Sequence, residues 1–198
     1  MNFKIFGRWD VTGIQVSDFG LKKYVNLDAK LVPRSSGKNI GIKFHKSKNN
    51  IVERLMNKMM VPGHKGKKHR LTSYHATGKA VTNYNSVEKV FEIIEKKTGK
   101  NPVEVFVKAL ENAAPREEIT NIEYGGAKYP QSVDVAPQRR VDIALRQFVQ
   151  GAYGKSFGTK KKIVDCLVDE IIGAYNLDQK SAAIAKKLEL ERQADSAR

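Results

Sequence analysis

A cluster of lysines and three histidines between positions 63 and 75 is the first place where this chain invites a chemical reading. Gly63-His64-Lys65-Gly66-Lys67-Lys68 has a superficial likeness to a phosphate-cradling loop. Such a loop needs four residues between its glycines, a hydroxyl residue after the lysine and a buried strand before it. Here a methionine-bearing helical pattern comes before it, so nucleotide chemistry is not expected. His64, His69 and His75 have no cysteine or acid beside them, and their cationic neighbours would repel a metal ion. Solvated or RNA-contacting imidazoles are the expected reading. Cys166, the lone cysteine, falls on the edge of an apolar helix face and reads as a small core residue. Glu117-Glu118 beside Arg116 reads as a helix exit or a surface ion pair. No nucleophile–base pattern can be assembled, so no enzyme activity, no cofactor, no metal and no small-molecule substrate are expected.

Charge is the stronger signal. The chain carries 36 Lys and Arg against 21 Asp and Glu, a net of +15. Residues 1–28 hold four bases and three acids, and residues 88–198 hold 19 bases and 17 acids. Residues 29–87 hold 13 bases and a single acid, Glu53. An excess segregated in this way implies a polyanionic partner rather than general solubility. Binding through it would release condensed counterions and be sensitive to salt.

Three groups of residues are candidates for that contact. The first is a basic arm with Arg34, Lys38, Lys43, Lys46 and Lys48, whose glycines and serines let the backbone follow an irregular phosphate path. The second is the loop Lys65, Lys67, Lys68, His69 and Arg70. Its compact lysines suit phosphate contacts that position without reading sequence. The third is a hairpin and the helix after it. Tyr124 and Tyr129 flank the tip Gly125-Gly126 with Lys128 between them, placed either to stack on unpaired bases or to pack in the strands. Arg139 and Arg140 stand in the first turn of the following helix, with Arg146 further along it. Cations in a first turn oppose the helix dipole, so an external anion would account for them better than helix stability does.

The elements that must position these groups follow from periodicity. The first 30 residues mix β-branched and aromatic residues with glycine turns and read as an irregular or strand-bearing extension. Residues 33–48 combine Pro, Ser and Gly with bases and read as an extended arm that a partner would order. Val52, Leu55, Met56 and Met59 predict a short helix ended by Pro62-Gly63. Val81, Tyr84, Val87, Phe91 and Ile94 predict a longer one over about 74–98, closed by Gly99. Asn101-Pro102 with Glu104 is a helix start, and Val103, Phe106, Val107 and Leu110 give its apolar stripe. The period then changes over 119–135, where two glycines divide β-branched runs, as in a tight hairpin. Such a ribbon is marginal by itself and asks for outside support. Further helices are expected at 137–153, 160–175 and about 178–195. The fold class is mainly α: a bundle-like domain of about six helices with one protruding β-hairpin and an extended basic N-terminal arm. The expected division is 1–48 for extension and arm and 49–198 for the helical domain, with its hairpin at about 117–135. No stretch approaches the roughly 18 apolar residues of a membrane span, and the N-terminus lacks a secretory pattern. With a single cysteine this predicts a reduced, cytoplasmic protein.

The run ITNIEYGGAKYPQSVDVAPQRRVDIAL (119–145) resembles the hairpin and following helix of the small-subunit ribosomal protein family numbered seven. GKNPVEVFVKALENAAP (99–115) looks like that family's preceding helix. ELERQADSAR at the C-terminus and the long N-terminal extension look like its archaeal and eukaryotic branch. The longer GHKGKKHR loop departs from the bacterial pattern in the same direction. The resemblance implies a six-helix domain that binds the 3′ major domain of 16S rRNA and helps nucleate assembly of the subunit head. It places a ribbon, here Tyr124 to Tyr129, near the exit-site tRNA and mRNA path, with other head and platform ribosomal proteins as neighbours. A free DNA- or RNA-binding regulator is the competing expectation, because a basic arm on a helical body would serve it too. Preference for duplex DNA over ribosomal RNA would mark it.

Overall fold

The computed structural model describes residues 3–39, 41–63 and 77–198. Its elements are α1 (Ile51–Met60), α2 (Ala80–Thr98), α3 (Pro102–Ala113), β1 (Glu117–Tyr124), β2 (Ala127–Asp134), α4 (Pro137–Ser156), α5 (Ile163–Tyr175) and α6 (Ala182–Asp195). Among the described residues, the six helices and single antiparallel ribbon agree with the expected fold class.

α5 is the axis of the bundle and packs against α2, α3 and α4. Its sequence dictates that place, because Cys166, Leu167, Val168, Ile171 and Ala174 leave little polar face to show water. α3 starts where Asn101 caps it, its side chain accepting from Val103 N–H at 3.0 Å, with Pro102 in the first turn. α1 starts in the same manner on Asn50, which accepts from Val52 N–H at 2.9 Å.

Helix starts are where the structure departs most from periodicity. α2 begins at Ala80, after a turn in which Gly78 takes φ +75°, a left-handed backbone that interrupts a helix. Val81 is consequently 62% exposed, and α2 first meets the core one turn later, where Tyr84 lies 4.7 Å from Phe6. α5 begins at Ile163 rather than 160, leaving Lys160 to Lys162 outside it. α6 begins at Ala182 rather than 178, because Asp178 holds a turn by accepting from Lys180 N–H through its side chain and from Ser181 N–H through its carbonyl.

The N-terminal segment joins the same core. Ile5, Trp9 and Leu21 are buried, and no ladder beyond single bridges at Ile5–Trp9 and Asn26–Asn50 forms there among the described residues. A row of rings runs inward from it. Trp9 meets Phe91 at 5.7 Å, Phe91 meets Phe106 at 5.9 Å, and Phe106 meets Phe148 at 6.4 Å, which links the segment to α2, α3 and α4. Edge-on and tilted pairs of this kind add to the area they bury. The indole of Trp9 donates to Glu95 at 3.0 Å, satisfying its one polar atom.

Within the ribbon, Tyr124 faces Ala127 across a two-residue turn. Gly125 and Gly126 have φ +58° and +81°, the two positive angles of a type I′ turn. Both strands are exposed at the tip end and partly covered only near their base. That base is clasped by the C-terminus. Arg198 donates to Glu117 at 2.5 and 2.7 Å, Ser132 N–H donates to the Ala197 carbonyl at 3.3 Å, and Arg116 N–H donates to Glu191 at 3.1 Å.

Candidate nucleic-acid interface

The arm is tied to the body by acceptors that α1 and α4 supply. Buried Glu53 of α1 accepts from the Ser35 amide at 2.8 Å and from its hydroxyl. Asn39 donates to Asn49, and Lys46 pairs with Asp142 of α4. Asn26 receives the Ile51 amide and donates to the Lys48 carbonyl at 2.7 Å, while Asn50 donates to the Asp28 carbonyl at 2.8 Å. The acceptors fixing this segment are therefore inside the chain, a difference from the expectation that a partner would order it. Within it a single 3-10 turn, His45–Lys48, follows Phe44. Arg34, Lys38, Lys43, Lys46 and Lys48 are all exposed.

The cations of α4 divide. Arg139 is exposed and makes a two-pronged pair with Glu118 at 2.7 and 2.8 Å, which raises its already high pKa. Arg140 differs from the expectation of an outward anion contact. It is buried, donating to the Pro115 carbonyl at 3.0 Å and to Asp18 at 2.6 Å. The anion it meets in the first turn is thus supplied by the chain itself. Arg146 is exposed and belongs to a wider cluster. Lys58 of α1 has its pKa lowered by burial first, then by the charges of Arg146 and Lys46, against an opposing pull from Asp142. Asp142 is shared by Lys46 and by buried Arg54, which stands 2.9 Å from it and also donates to the Tyr24 carbonyl.

Tyr124, Gly125, Gly126, Lys128 and Tyr129 are exposed at the ribbon tip. Tyr124 is 82% and Tyr129 59% exposed, so strand packing does not consume the rings. Lys65, Lys67, Lys68, His69 and Arg70, like His64 and His75, lie outside the described residues. The segment leading into them is held where Gln150 of α4 donates to the Pro62 carbonyl at 2.9 Å.

Several cations escaped the reading of the sequence. Lys22 and Lys23 line an open groove of about 800 Å³ together with His45 and Lys48, yet sit in a stretch of nearly balanced charge. Lys58 was hidden because it follows the apolar stripe of α1 on a helix read for its core. The run Lys160-Lys161-Lys162, exposed before α5, was legible as a charge run but was absorbed into a helix. Among the described residues no group of histidines, cysteines and acids is placed to hold a metal, and no helix is long and apolar enough to cross a membrane.

The family model described as ribosomal protein S7p/S5e matches residues 22–198. The small ribosomal subunit protein uS7 of Nanoarchaeum equitans is 53% identical over 201 residues, covering all of both chains. The corresponding protein of Methanosphaera stadtmanae is 48% identical over 197 residues, again over both full lengths. That of Archaeoglobus fulgidus is 47% identical over 194 residues, 98% of this chain and 94% of its own.

Proposed function

The chain belongs to the ribosomal protein S7p/S5e family, and from that membership we propose that it binds the 3′ major domain of 16S rRNA and helps nucleate the head of the small subunit. It is a structural, non-enzymatic protein of the small ribosomal subunit, cytoplasmic as part of that particle. The arm residues Arg34, Lys38, Lys43, Lys46 and Lys48 and the α4 residue Arg146 hold RNA phosphates, joined by the loop Lys65 to Arg70. The observation that carries this reading is that Arg34, Lys38, Lys43, Lys46 and Lys48 all stay exposed along an arm held to the body through Glu53 and Asp142. Residues 29–87 hold 13 bases and one acid, and a phosphate backbone neutralises that excess. Shape and phosphate geometry dominate the recognition, because duplex RNA hides its base edges in a narrow groove.

The ribbon serves a separate contact. Its tip, Tyr124 to Tyr129, lies near the exit-site tRNA and mRNA path, and neighbouring head and platform ribosomal proteins cover parts of the remaining surface. Exposure of the ribbon throughout its tip half supports this, since that half gains little from its own chain. Residues 1–48 act in this reading as the extension that carries the basic RNA-binding arm, and 49–198 as the helical domain that adds its own contacts and aims the ribbon.

Filter binding of the full chain to the isolated 3′ major domain, in roughly 0.3 M salt to suppress generic attraction, tests the proposal. Tight binding that survives unrelated RNA and duplex DNA is the expected result. Equal loss to every competitor would overturn it, and preference for duplex DNA would favour a free regulator.

A further inference from the structure

The groove beside the arm holds a residue that neither folding nor charge accounts for. Phe44 adopts φ 70° and ψ −10°, in the left-handed region, while its ring stays 59% exposed. A side chain in that backbone conformation carries a steric strain that glycine would avoid. Phe44 therefore carries a conformational cost and an exposed apolar ring together. The ring lines the groove, and the Lys43 ammonium lies 5.2 Å from its centre.

The other walls are suited to a nucleotide. Lys22, Lys23 and Lys48 line the same groove, and among the described residues none of them has an acidic partner within ion-pair distance. Asp28 is the acid that faces it, and Asn26 donates to that carboxylate at 2.9 Å. Ser47 also lines the groove, and its buried hydroxyl has no hydrogen-bond partner among the described residues. Buried polar atoms rarely go unpartnered in a finished assembly.

We propose that this groove seats one unpaired RNA nucleotide, with its base stacked on Phe44 and its flanking phosphates held by Lys22, Lys23 and Lys48. Asp28, exposed in the same groove, offers its carboxylate to an amino group on the edge of that base. Aromatic face, cations and a polar edge are the combination by which single-stranded RNA is taken. A continuous duplex keeps its bases stacked and cannot use the ring. The inference rests on the RNA-binding reading above and names the kind of nucleotide that one part of the interface takes.

The test titrates the full chain with two probes: a short RNA duplex, and the same duplex carrying one unpaired 2-aminopurine. The unaltered chain should bind the bulged probe roughly five- to a hundredfold tighter, as base–aromatic stacking allows, and quench its fluorescence. Phe44→Gly removes the ring and relieves the backbone, so the fold is kept. It should lose both the preference and the quenching while its duplex binding stays unchanged, and Phe44→Tyr should retain all three. A preference that persists in Phe44→Gly, or that is missing from the unaltered chain while duplex binding stands, overturns the pocket. Failure of the unaltered chain to bind either RNA overturns the RNA-binding reading, and the pocket with it.

Discussion

Arg139 and Arg140 are adjacent in the first turn of α4, and their side chains go opposite ways. Arg139 reaches outward to Glu118, while Arg140 turns in to Asp18 and the Pro115 carbonyl. Exposed pairs such as the first contribute about 0–1 kcal/mol. Removing one partner of a buried pair leaves a charge unsatisfied and costs roughly 3–5 kcal/mol. Asp18 keeps some contact with water, so Arg140→Met should destabilise the chain by about 2–4 kcal/mol on that scale. Thermal unfolding would measure it. Burial by itself would raise the pKa of Asp18, but the hydrogen bond and charge of Arg140 together hold it below the ordinary 3.8. A depressed carboxyl gives stability that is fully present above the unfolded value and is lost as pH falls through the folded one. Between neutral pH and about pH 5 the pair's contribution should stay constant. Below pH 4 it should fade, and Asp18→Asn should flatten that acid limb in a urea titration series.

At the scale of elements, α6 is capped by a residue of another helix. Ser181 makes no cap with its own side chain. Instead fully buried Glu170 of α5 accepts from the Ala182 amide at 2.8 Å and the Ser181 hydroxyl at 2.9 Å. Lys155 of α4 completes an ionic contact with its other oxygen at 2.6 Å. A carboxylate at a helix N-terminus satisfies free amides and the dipole at once. The approach is close enough to require Gly151, where a Cβ would stand 2.7 Å from Ala182 Cβ and 2.9 Å from the Glu170 carboxyl carbon. Gly151→Ala should therefore lose about 1–3 kcal/mol through overpacking, against the gain of about 1 kcal/mol that alanine gives a free helix. A fall in Tm is the expected reading, and a rise would show that the junction yields easily. The ribbon depends on a similar remote support. Deleting residues 196–198 removes the Arg198 and Ala197 contacts with Glu117 and Ser132. Amide exchange at Ser132 should then quicken, with α3 and α5 unaffected, because local opening follows local contacts.

Over the whole molecule, two demands on the sequence are kept apart. The apolar periodicity builds one core, from Ile5 and Trp9 through Phe106 to Ile184. The excess charge of residues 29–87 is left with the single acid Glu53 in its own stretch, and that acid is committed to Ser35. Cations unneutralised by their own chain remain free to release counterions elsewhere. Replacing Lys67, Lys68 and Arg70 together with alanine should lower the slope of log K against log salt by up to about three units. An unchanged slope would remove that loop from the interface.

What the sequence determined by itself is what local rules decide. Asn101-Pro102 starts α3, Gly125-Gly126 turns the ribbon, and Val103, Phe106 and Leu110 fall inside, because each depends only on near neighbours and spacing. The segregated charge and the GG-centred run before VDVAPQRR were equally legible, and with them the family. Tertiary structure decided the rest, through contacts between residues distant in the chain. Only folding brings Asp18 to Arg140, Glu170 to Ser181 and Ala197 to Ser132. Only folding sets Lys22 and Lys23 in one groove with Phe44 and Lys48. An arginine's charge is written in the sequence; whether it meets solvent or a carboxylate depends on what the fold packs over it, and no spacing records that.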